Sequence, residues 1–399
     1  LRLHRNIVGA VVEGLEEIFG NEAMAERVVK NQIRKDRRWG SRDRRFIAES
    51  LYDLVRWWRW YLAIGEVLEQ DEERYSKVMA VYLRDKNIDL PEWFSPAIPS
   101  FEQIQKNKEK YEDNLSIRAS IPEWLDELGK KELGSVWEKE INALNQTTAV
   151  VLRVNTLKIK KEKLILLLKK EGVEVEAVTD LPDALVLQKR RDLSQLKTFR
   201  NGFFEVQDAS SQMVAPFAQV EAGMTVIDSC AGAGGKTLHI AAQMENKGRL
   251  YSMDVEAGKL TELDKRIKRA GCRIVTPLLI QEQEMSELKH RADVLLIDAP
   301  CSGLGVLRRK PDSKWKLSEA KVEEYKKMQK QILQDYESML KPGGTLVYVT
   351  CSILPSENEK QIEEFLSKNQ ANYKLEAEQK ILASQGFDGF YMARLRKLK

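Results

Sequence analysis

Apolar residues recur every three or four positions at the start of the chain, at Ile7, Val8, Val11, Val12, Leu15, Ile18 and Phe19. They do so again at Phe46, Ile47, Leu51, Tyr52, Leu54, Val55, Trp57, Trp58 and Trp60. That period marks one face of an α-helix, so residues 1 to about 140 are expected to be helical, with the tryptophans in the core. Ser41, followed by Asp43 and Arg44, is placed to cap the second of these helices. From about 85 to 118 the period gives way to mixed charge and to Pro91, Pro96 and Pro99, which read as a connecting region. The pattern then changes. Val150–Asn155 alternates as a strand, Lys161–Glu171 reads as a helix, and Val173–Val178 and Ala184–Leu187 add strands. From about 205 strands and helices alternate, as in a doubly wound sheet. The strands are Val226–Asp228, Leu250–Asp254, Ile274–Ile280, Val294–Asp298 and Thr345–Thr350, with Asn372–Ala377 and Gly389–Leu395 closing the sheet. The clearest helices are Lys236–Glu245, Ala257–Ala270, Ser318–Leu340 and Glu357–Leu366. Three parts are expected: an all-α domain over 1–140, a small α+β subdomain over 141–204 and an α/β Rossmann-like domain over 205–399.

Composition changes this picture little. The 399 residues are 43% hydrophobic and 32% charged, the balance of a globular protein, and no apolar run approaches the ~20 residues of a membrane span. No signal-peptide pattern opens the chain at Leu1. Four scattered cysteines (Cys230, Cys272, Cys301 and Cys351) without a CxxC pair, and only three histidines, argue against zinc and for a reduced cytosolic protein. The net charge of +4 does not by itself indicate nucleic acid. Its distribution says more. Lys30, Arg34, Lys35, Arg37, Arg38, Arg42, Arg44 and Arg45 fall within sixteen positions that hold only Asp36 and Asp43 as acids. A phosphate-contacting patch and a solvated face are equal readings of that segment.

Chemistry concentrates at the ends of four strands. Asp228-Ser229-Cys230-Ala231-Gly232-Ala233-Gly234-Gly235-Lys236-Thr237 follows the first strand of the sheet and opens a helix, where glycines and free N–H groups receive a ligand. A P-loop needs Gly where Cys230 stands, and a dinucleotide fingerprint needs Gly where Thr237 stands. An S-adenosylmethionine loop remains, with Asp254 at the end of the second strand to accept the ribose hydroxyls, a device that NAD sites share. The buried run Val294–Ile297 delivers Asp298-Ala299-Pro300-Cys301-Ser302, and the run Thr345–Thr350 delivers Cys351-Ser352. The carboxyl ends of such strands line one crevice. Two thiols and a carboxylate can therefore surround one reacting atom; the plainer reading is two buried cysteines.

These two cysteine segments, in this order, resemble those of the RNA cytosine-5 methyltransferases of the RsmB/NOP2/Sun family. Ile121-Pro122-Glu123-Trp124-Leu125, Arg153-Val154-Asn155-Thr156-Leu157-Lys158, Gly202–Gln212 and Asp388–Ala393 resemble further segments of the family. Ser41–Ile47 resembles part of the NusB-like helical domain of its small-subunit ribosomal RNA enzymes. The resemblance implies S-adenosylmethionine as cofactor, wrapped by Cys230, Ala231, Gly232, Ala233, Gly234, Gly235 and Lys236, with Asp254 on the ribose and Asp298 bordering cofactor and base. Cys230 itself reads as packing rather than as a nucleophile, and Lys236 as an active-site contact or simply a helix N-terminal residue. The family has an acidic residue after the third strand; here Gln281 stands there, followed by Glu282.

Cytosine C5 is too weakly nucleophilic to accept a methyl group unaided, and thiolate attack at C6 makes it a carbanion equivalent. The resemblance makes Cys351 that nucleophile, Cys301 the residue that assists release and Asp298 the holder of the base edge. DNA cytosine-5 methyltransferases place the nucleophile in Pro-Cys-Gln. Ser302 after Pro300-Cys301, and the added Thr350-Cys351-Ser352, point to RNA. Arg308-Arg309-Lys310-Pro311-Asp312 with Lys314, Trp315 and Lys316 suits a wall that tracks an RNA backbone beside the pocket. The expected protein is a cytoplasmic monomer acting on RNA, most directly 16S ribosomal RNA, with no metal and no membrane contact. Three alternatives stand beside it: an RNA-binding or assembly factor without catalysis, the same chemistry on transfer RNA, and a small-molecule methyltransferase or NAD enzyme. Asp298, Cys301 and Cys351 together argue against the first, and the basic helical segment against the last.

Overall fold

The helical period of the first third forms helices. In the computed structural model, which describes residues 3–399, one unit comprises the chain up to residue 146 together with 307–319. Its main helices are Arg5–Phe19, Ala25–Gln32, Ser41–Arg56, Trp58–Ile64 and Arg74–Asp85. Their apolar faces bury Val11, Leu15, Ile47, Leu51, Leu54, Val55, Ile64, Val78 and Met79 completely, at roughly 1.5–3 kcal/mol for each large side chain. Trp58 is buried and stacks on Phe19 with ring centroids 4.2 Å apart. The cap of the third helix differs from the expectation. Gly40 is the N-cap residue, and Asp43 closes the turn by accepting the Gly40 N–H at 3.0 Å. Ser41 is the first helical residue.

The proline-bearing stretch is not merely a connection. It contains the helix Phe101–Lys110, whose Ser100 cap accepts the Gln103 N–H at 3.2 Å, and a turn of helix at Leu115–Arg118 capped by Asn114. Ile104 is fully buried, and Asn107 donates to the Ile64 carbonyl at 2.9 Å. Charge masks this helix in the sequence because only Ile104 and Asn107 face inward.

The basic, aromatic segment after the first cysteine loop is also not the expected wall. Residues 307–319 pack as part of the helical unit. Arg308 is buried and donates to the Ala143 carbonyl at 2.8 Å. Lys314 is fully buried, with its ammonium on the Arg56 carbonyl (2.8 Å) and Asn145 Oδ1 (3.2 Å). Burial, reinforced by Arg56, pushes the Lys314 ammonium well below its ordinary pKa. Lys316 donates to the Ala23 carbonyl at 2.8 Å and to Asp312 at 2.9 Å, while Asp312 accepts the Ala25 N–H at 3.0 Å. Trp315 packs against Phe19 and donates to the Val55 carbonyl at 2.7 Å. These polar heads reach backbone carbonyls, an outcome that local composition does not distinguish from an RNA-facing loop.

The second unit, residues 147–306 and 320–399, holds two sheets. Strands β1 (Val151–Val154), β2 (Val175–Val178), β3 (Leu181–Leu187) and β4 (Phe204–Val206) form an antiparallel sheet in the order β2-β3-β1-β4, with the helix Lys161–Lys170 among its elements. Then come β5 (Thr225–Asp228), β6 (Arg249–Asp254), β7 (Val275–Leu279), β8 (Ala292–Asp298), β9 (Leu340–Thr350), β10 (Tyr373–Ile381) and β11 (Phe390–Lys397). They make a seven-stranded sheet in the order β10-β11-β9-β8-β5-β6-β7, parallel except for β11, which runs antiparallel to both its neighbours. Strands buried on both faces need no alternation, which is why Val294–Ile297 and Leu346–Val349 are unbroken apolar runs with almost no exposure. The strand order reverses between β5 and β8, and ligands of open α/β sheets sit beyond the strand ends at such a point. Among the described residues no helix is long and apolar enough to cross a membrane, and no three His, Cys, Asp or Glu side chains converge as a metal site.

Candidate active site

The β8–β9 register sets the site. Asp298 pairs with Val349, and the Ala299 N–H donates across to the Val349 carbonyl at 2.9 Å. The two cysteine loops therefore leave adjacent strands at one edge, and the Cys301 and Cys351 sulfurs lie 3.5 Å apart. Gly305 makes this closeness possible. Its N–H donates to the Cys351 carbonyl at 2.9 Å, and a Cβ there would stand 2.1 Å from the Gly389 carbonyl oxygen and 2.8 Å from that of Cys351. The Asp388–Ala393 segment singled out in the sequence supplies that facing backbone.

Both thiols are half-buried. The contact with Cys351, then burial, then the nearby Glu357 raise the Cys301 thiol well above its ordinary pKa, so Cys301 keeps its proton near neutrality. Cys230 is half-buried inside the glycine loop, with its thiol pushed up by burial; it is no match for a reactive thiolate. Cys272 is buried in the core.

Lys236 joins the loop to the thiols' edge. Its ammonium donates to Asp298 Oδ2 at 2.7 Å and lies 5.2 Å from the Phe390 ring centroid. Burial alone would depress this lysine, but Asp298, Cys351 and Asp228 more than offset it and hold it raised. Thr237 donates to buried Asp228 at 2.7 Å. The pair that imitates a P-loop is thus consumed by two internal carboxylates, and the loop offers no free cation to a phosphate.

The loop suits a different ligand. Gly232 and Gly234 have φ of +56° and +86°. A Cβ at Gly234 would strike Leu263 at 2.1 Å, whereas one at Gly232 would meet nothing within 4 Å, so open space lies over Gly232. Asp254 ends β6 with its oxygens on the Gly232 and Glu256 N–H groups, each at 2.9 Å. Each oxygen keeps a second lone pair for a ribose hydroxyl. An acid at the ribose position and a glycine cradle whose own lysine is held by Asp298 fit a nucleoside that carries a cationic sulfonium. Gln281 is exposed just past β7 and Glu282 begins the helix Glu282–Glu287.

Sequence reading missed the residues that hold this loop. Arg153 of β1 is buried and donates to Gln207 and, at 2.7 Å, to the Gly235 carbonyl. Arg266 donates to the Ala233 carbonyl at 2.7 Å and to Glu205 at 2.9 Å. The Arg153–Lys158 segment was visible as a motif, but nothing in it announced a partner some eighty residues away.

Burial raises the Asp228 carboxyl from 3.8 to about 7, with Thr237 opposing and Asp298 adding to the rise. The folded chain then binds more protons than the unfolded chain between about pH 4 and 7, so this group costs stability progressively as pH rises through that window. Asp228→Asn, measured by chemical denaturation without cofactor, should gain on the wild type from pH 4 to pH 7, by roughly 4 kcal/mol at most. A difference between the two that stays flat across this range would contradict the raised carboxyl.

The sheet order, the glycine cradle after its first strand and the acid ending its second are those of the Rossmann-like fold of S-adenosylmethionine-dependent methyltransferases. Within that class the chain belongs to the RsmB/NOP2/Sun family. Residues 216–396 match the family described as 16S rRNA methyltransferase RsmB/F, and residues 121–194 match the ferredoxin-like domain of RsmF/B-like methyltransferases. The chain is 37% identical to ribosomal RNA small subunit methyltransferase B of Pasteurella multocida, over 69% of this chain and 65% of that one. It is 36% identical to the probable ribosomal RNA small subunit methyltransferase B of Synechocystis, over 64% and 58%. It thus spans less than two thirds of either relative. The match to the Escherichia coli protein of the same name is 33%, over 74% and 71%. Among solved structures, PH0851 is similar over the whole of both chains (TM-score 0.83, 25% identity). NSun6 from Pyrococcus horikoshii, solved with the S-adenosylmethionine analogue SFG, is similar over 70% of this chain and 98% of that one (TM-score 0.64, 25% identity).

Proposed function

We propose that this chain methylates C5 of a cytosine in RNA, most directly 16S ribosomal RNA, through a covalent bond between Cys351 and C6. The observation that carries the proposal is the pair of thiols 3.5 Å apart, flanked by the Lys236–Asp298 contact at the ends of adjacent strands. A methyltransferase acting on an oxygen, or on a nitrogen that keeps its lone pair, has no use for two thiols. S-adenosylmethionine supplies an electrophilic methyl group on a sulfonium, held by Cys230–Lys236 and Asp254. Cys351 as a thiolate forms the S–C6 bond, and the C5–C6 π pair moves to C5 and into the ring. Asp298 accepts hydrogen bonds from the base edge, and the Lys236 ammonium places positive charge where the ring becomes electron-rich. Once C5 is methylated, its proton leaves to a base. The C–H pair restores the C5–C6 double bond, and the S–C6 bond breaks with its electrons on Cys351. Cys301, still a thiol, stands within reach to protonate that departing sulfur. The target base must be unstacked to be reached from its face.

The names of the relatives support ribosomal RNA as the substrate. Mapping 5-methylcytosine in cellular RNA with and without this gene tests it. A lost mark in 16S ribosomal RNA is expected, and a loss confined to transfer RNA would redirect the proposal.

The helical unit is read as NusB-like and RNA-binding. Lys30, Arg34, Arg37, Arg42, Arg44 and Arg45 are exposed and have no ion-pair partner among the described residues, whereas Lys35 pairs with Glu13 and Arg38 with Asp36. Replacing Arg37, Arg42, Arg44 and Arg45 by Gln should weaken RNA binding about tenfold or more and lower the salt slope by roughly 0.7–0.9 per lost phosphate contact. Titrations at several salt concentrations measure both. S-adenosylmethionine affinity should not change. An unchanged salt slope would leave these arginines as a solvated face.

A further inference from the structure

We propose that Glu357 is a positioning residue for the two-thiol site: it ties the cysteine loops together through the serine that follows each cysteine, and so sets the Cys301–Cys351 separation. Glu357 is completely buried, in the turn of 3-10 helix Pro355–Glu357 just past the second loop. One oxygen accepts the Ser302 N–H at 2.8 Å and the Gln329 amide at 3.1 Å. The other accepts the hydroxyls of both Ser302 and Ser352, which are themselves 3.3 Å apart. Four donors from three chain segments therefore converge on one carboxylate, and none of the four is a cation. Gln329 also donates to the Pro300 carbonyl at 2.9 Å, so the residue before Cys301 is held by the same group. Beyond the carboxylate, Asn358 donates to the Ser352 carbonyl at 3.0 Å, and the Tyr348 hydroxyl donates to the Glu357 carbonyl at 2.8 Å.

Burying a carboxylate is expensive, and apolar packing of the same volume usually stabilises as well or better. What the carboxylate adds is geometry. It accepts both serine hydroxyls, so the two loops share one fixed point at the residue that follows each cysteine. The same negative charge contributes to holding Cys301 as a thiol, after the Cys351 contact and burial. The word positioning rests on the methyl-transfer reading, because only that chemistry requires one thiol to act on the bond made by the other.

The test reads thiol geometry without RNA or cofactor. Diamide oxidises two neighbouring thiols to a disulfide, with the two thiol hydrogens passing to its azo bond. Mass mapping of the Cys301–Cys351 cross-link then gives the rate. Glu357→Ala should slow cross-linking about tenfold or more, whereas Glu357→Gln, which keeps the shape and one acceptor, should stay within about threefold of the wild type. In a Cys351→Ala background, alkylation of Cys301 should shift to lower pH with Glu357→Gln, which a merely structural role would not produce. If Glu357→Ala fails to fold, Ser302→Ala and Ser352→Ala carry the test, each removing one hydroxyl from the carboxylate and each slowing cross-linking. Wild-type cross-linking rates in every variant that folds would overturn the proposal. The expected cross-linking pattern in a protein that methylates no RNA would leave the positioning intact and refute the function instead.

Discussion

Cys351→Ala is expected to abolish methyl transfer, lowering kcat by at least about a thousandfold, because without attack at C6 the C5 carbon never becomes nucleophilic. S-adenosylmethionine affinity should hold, since the glycine loop follows β5 and Asp254 ends β6, whereas Cys351 follows β9. No other thiol is placed to substitute. Cys272 is buried, Cys230 is half-buried in the loop with its thiol pushed up, and Cys301 keeps its proton beside Cys351. Single-turnover incorporation of labelled methyl groups into RNA, alongside calorimetric titration of the cofactor, checks both halves. Activity within tenfold of the wild type would mean that Cys351 is not the nucleophile.

Asp298→Asn is expected to lower kcat by about 10²–10⁴, the range for losing a positioned charged group at a reacting centre. A second consequence separates loss of chemistry from loss of fold. In the wild type, burial depresses Lys236 and Asp298 leads the groups that raise it above 10.5. A raised lysine contributes stability that is fully present below its unfolded pKa and is lost as pH rises through the folded value. The wild type should therefore be more stable than Asp298→Asn at neutral pH, with the difference shrinking above about pH 10.5. Acetylation of Lys236 should also begin at lower pH in the variant, where burial acts without its counter-charge. Loss of activity with no change in Lys236 reactivity would separate the lysine from the role given to Asp298.

The strands that form the site were legible because each is a short apolar run ending in a polar residue. Val294–Ile297 before Asp298 and Leu346–Val349 before Thr350 needed only strand periodicity to be placed. The cysteines were legible because the family resemblance names them, and their adjacency followed from parallel neighbours in one sheet. What was not legible depends on contacts across the sequence. Glu357 looks like any helix-start acid until Ser302, Ser352 and Gln329 converge on it. Arg153 and Arg266 support the cofactor loop through backbone carbonyls, which carry no sequence signal. The Arg308–Lys316 segment misled for the converse reason. Buried lysine and arginine heads satisfied by backbone carbonyls have the same composition as a phosphate-binding loop, and only folding distinguishes them. The helix at Phe101–Lys110 was hidden by its narrow buried stripe, Ile104 and Asn107 within mixed charge.

The division of labour between the two thiols is the centre of the account, and one gel reads it. Cys301→Ala, incubated with S-adenosylmethionine and target RNA, should form the Cys351–C6 bond and transfer the methyl group but fail to release the product. A slow-migrating protein band that survives denaturation and disappears with ribonuclease is the predicted result, and the Cys301→Ala/Cys351→Ala double variant should show none. A trapped band with Cys351→Ala and none with Cys301→Ala would contradict the assignment, because the bond to RNA would then be made by Cys301.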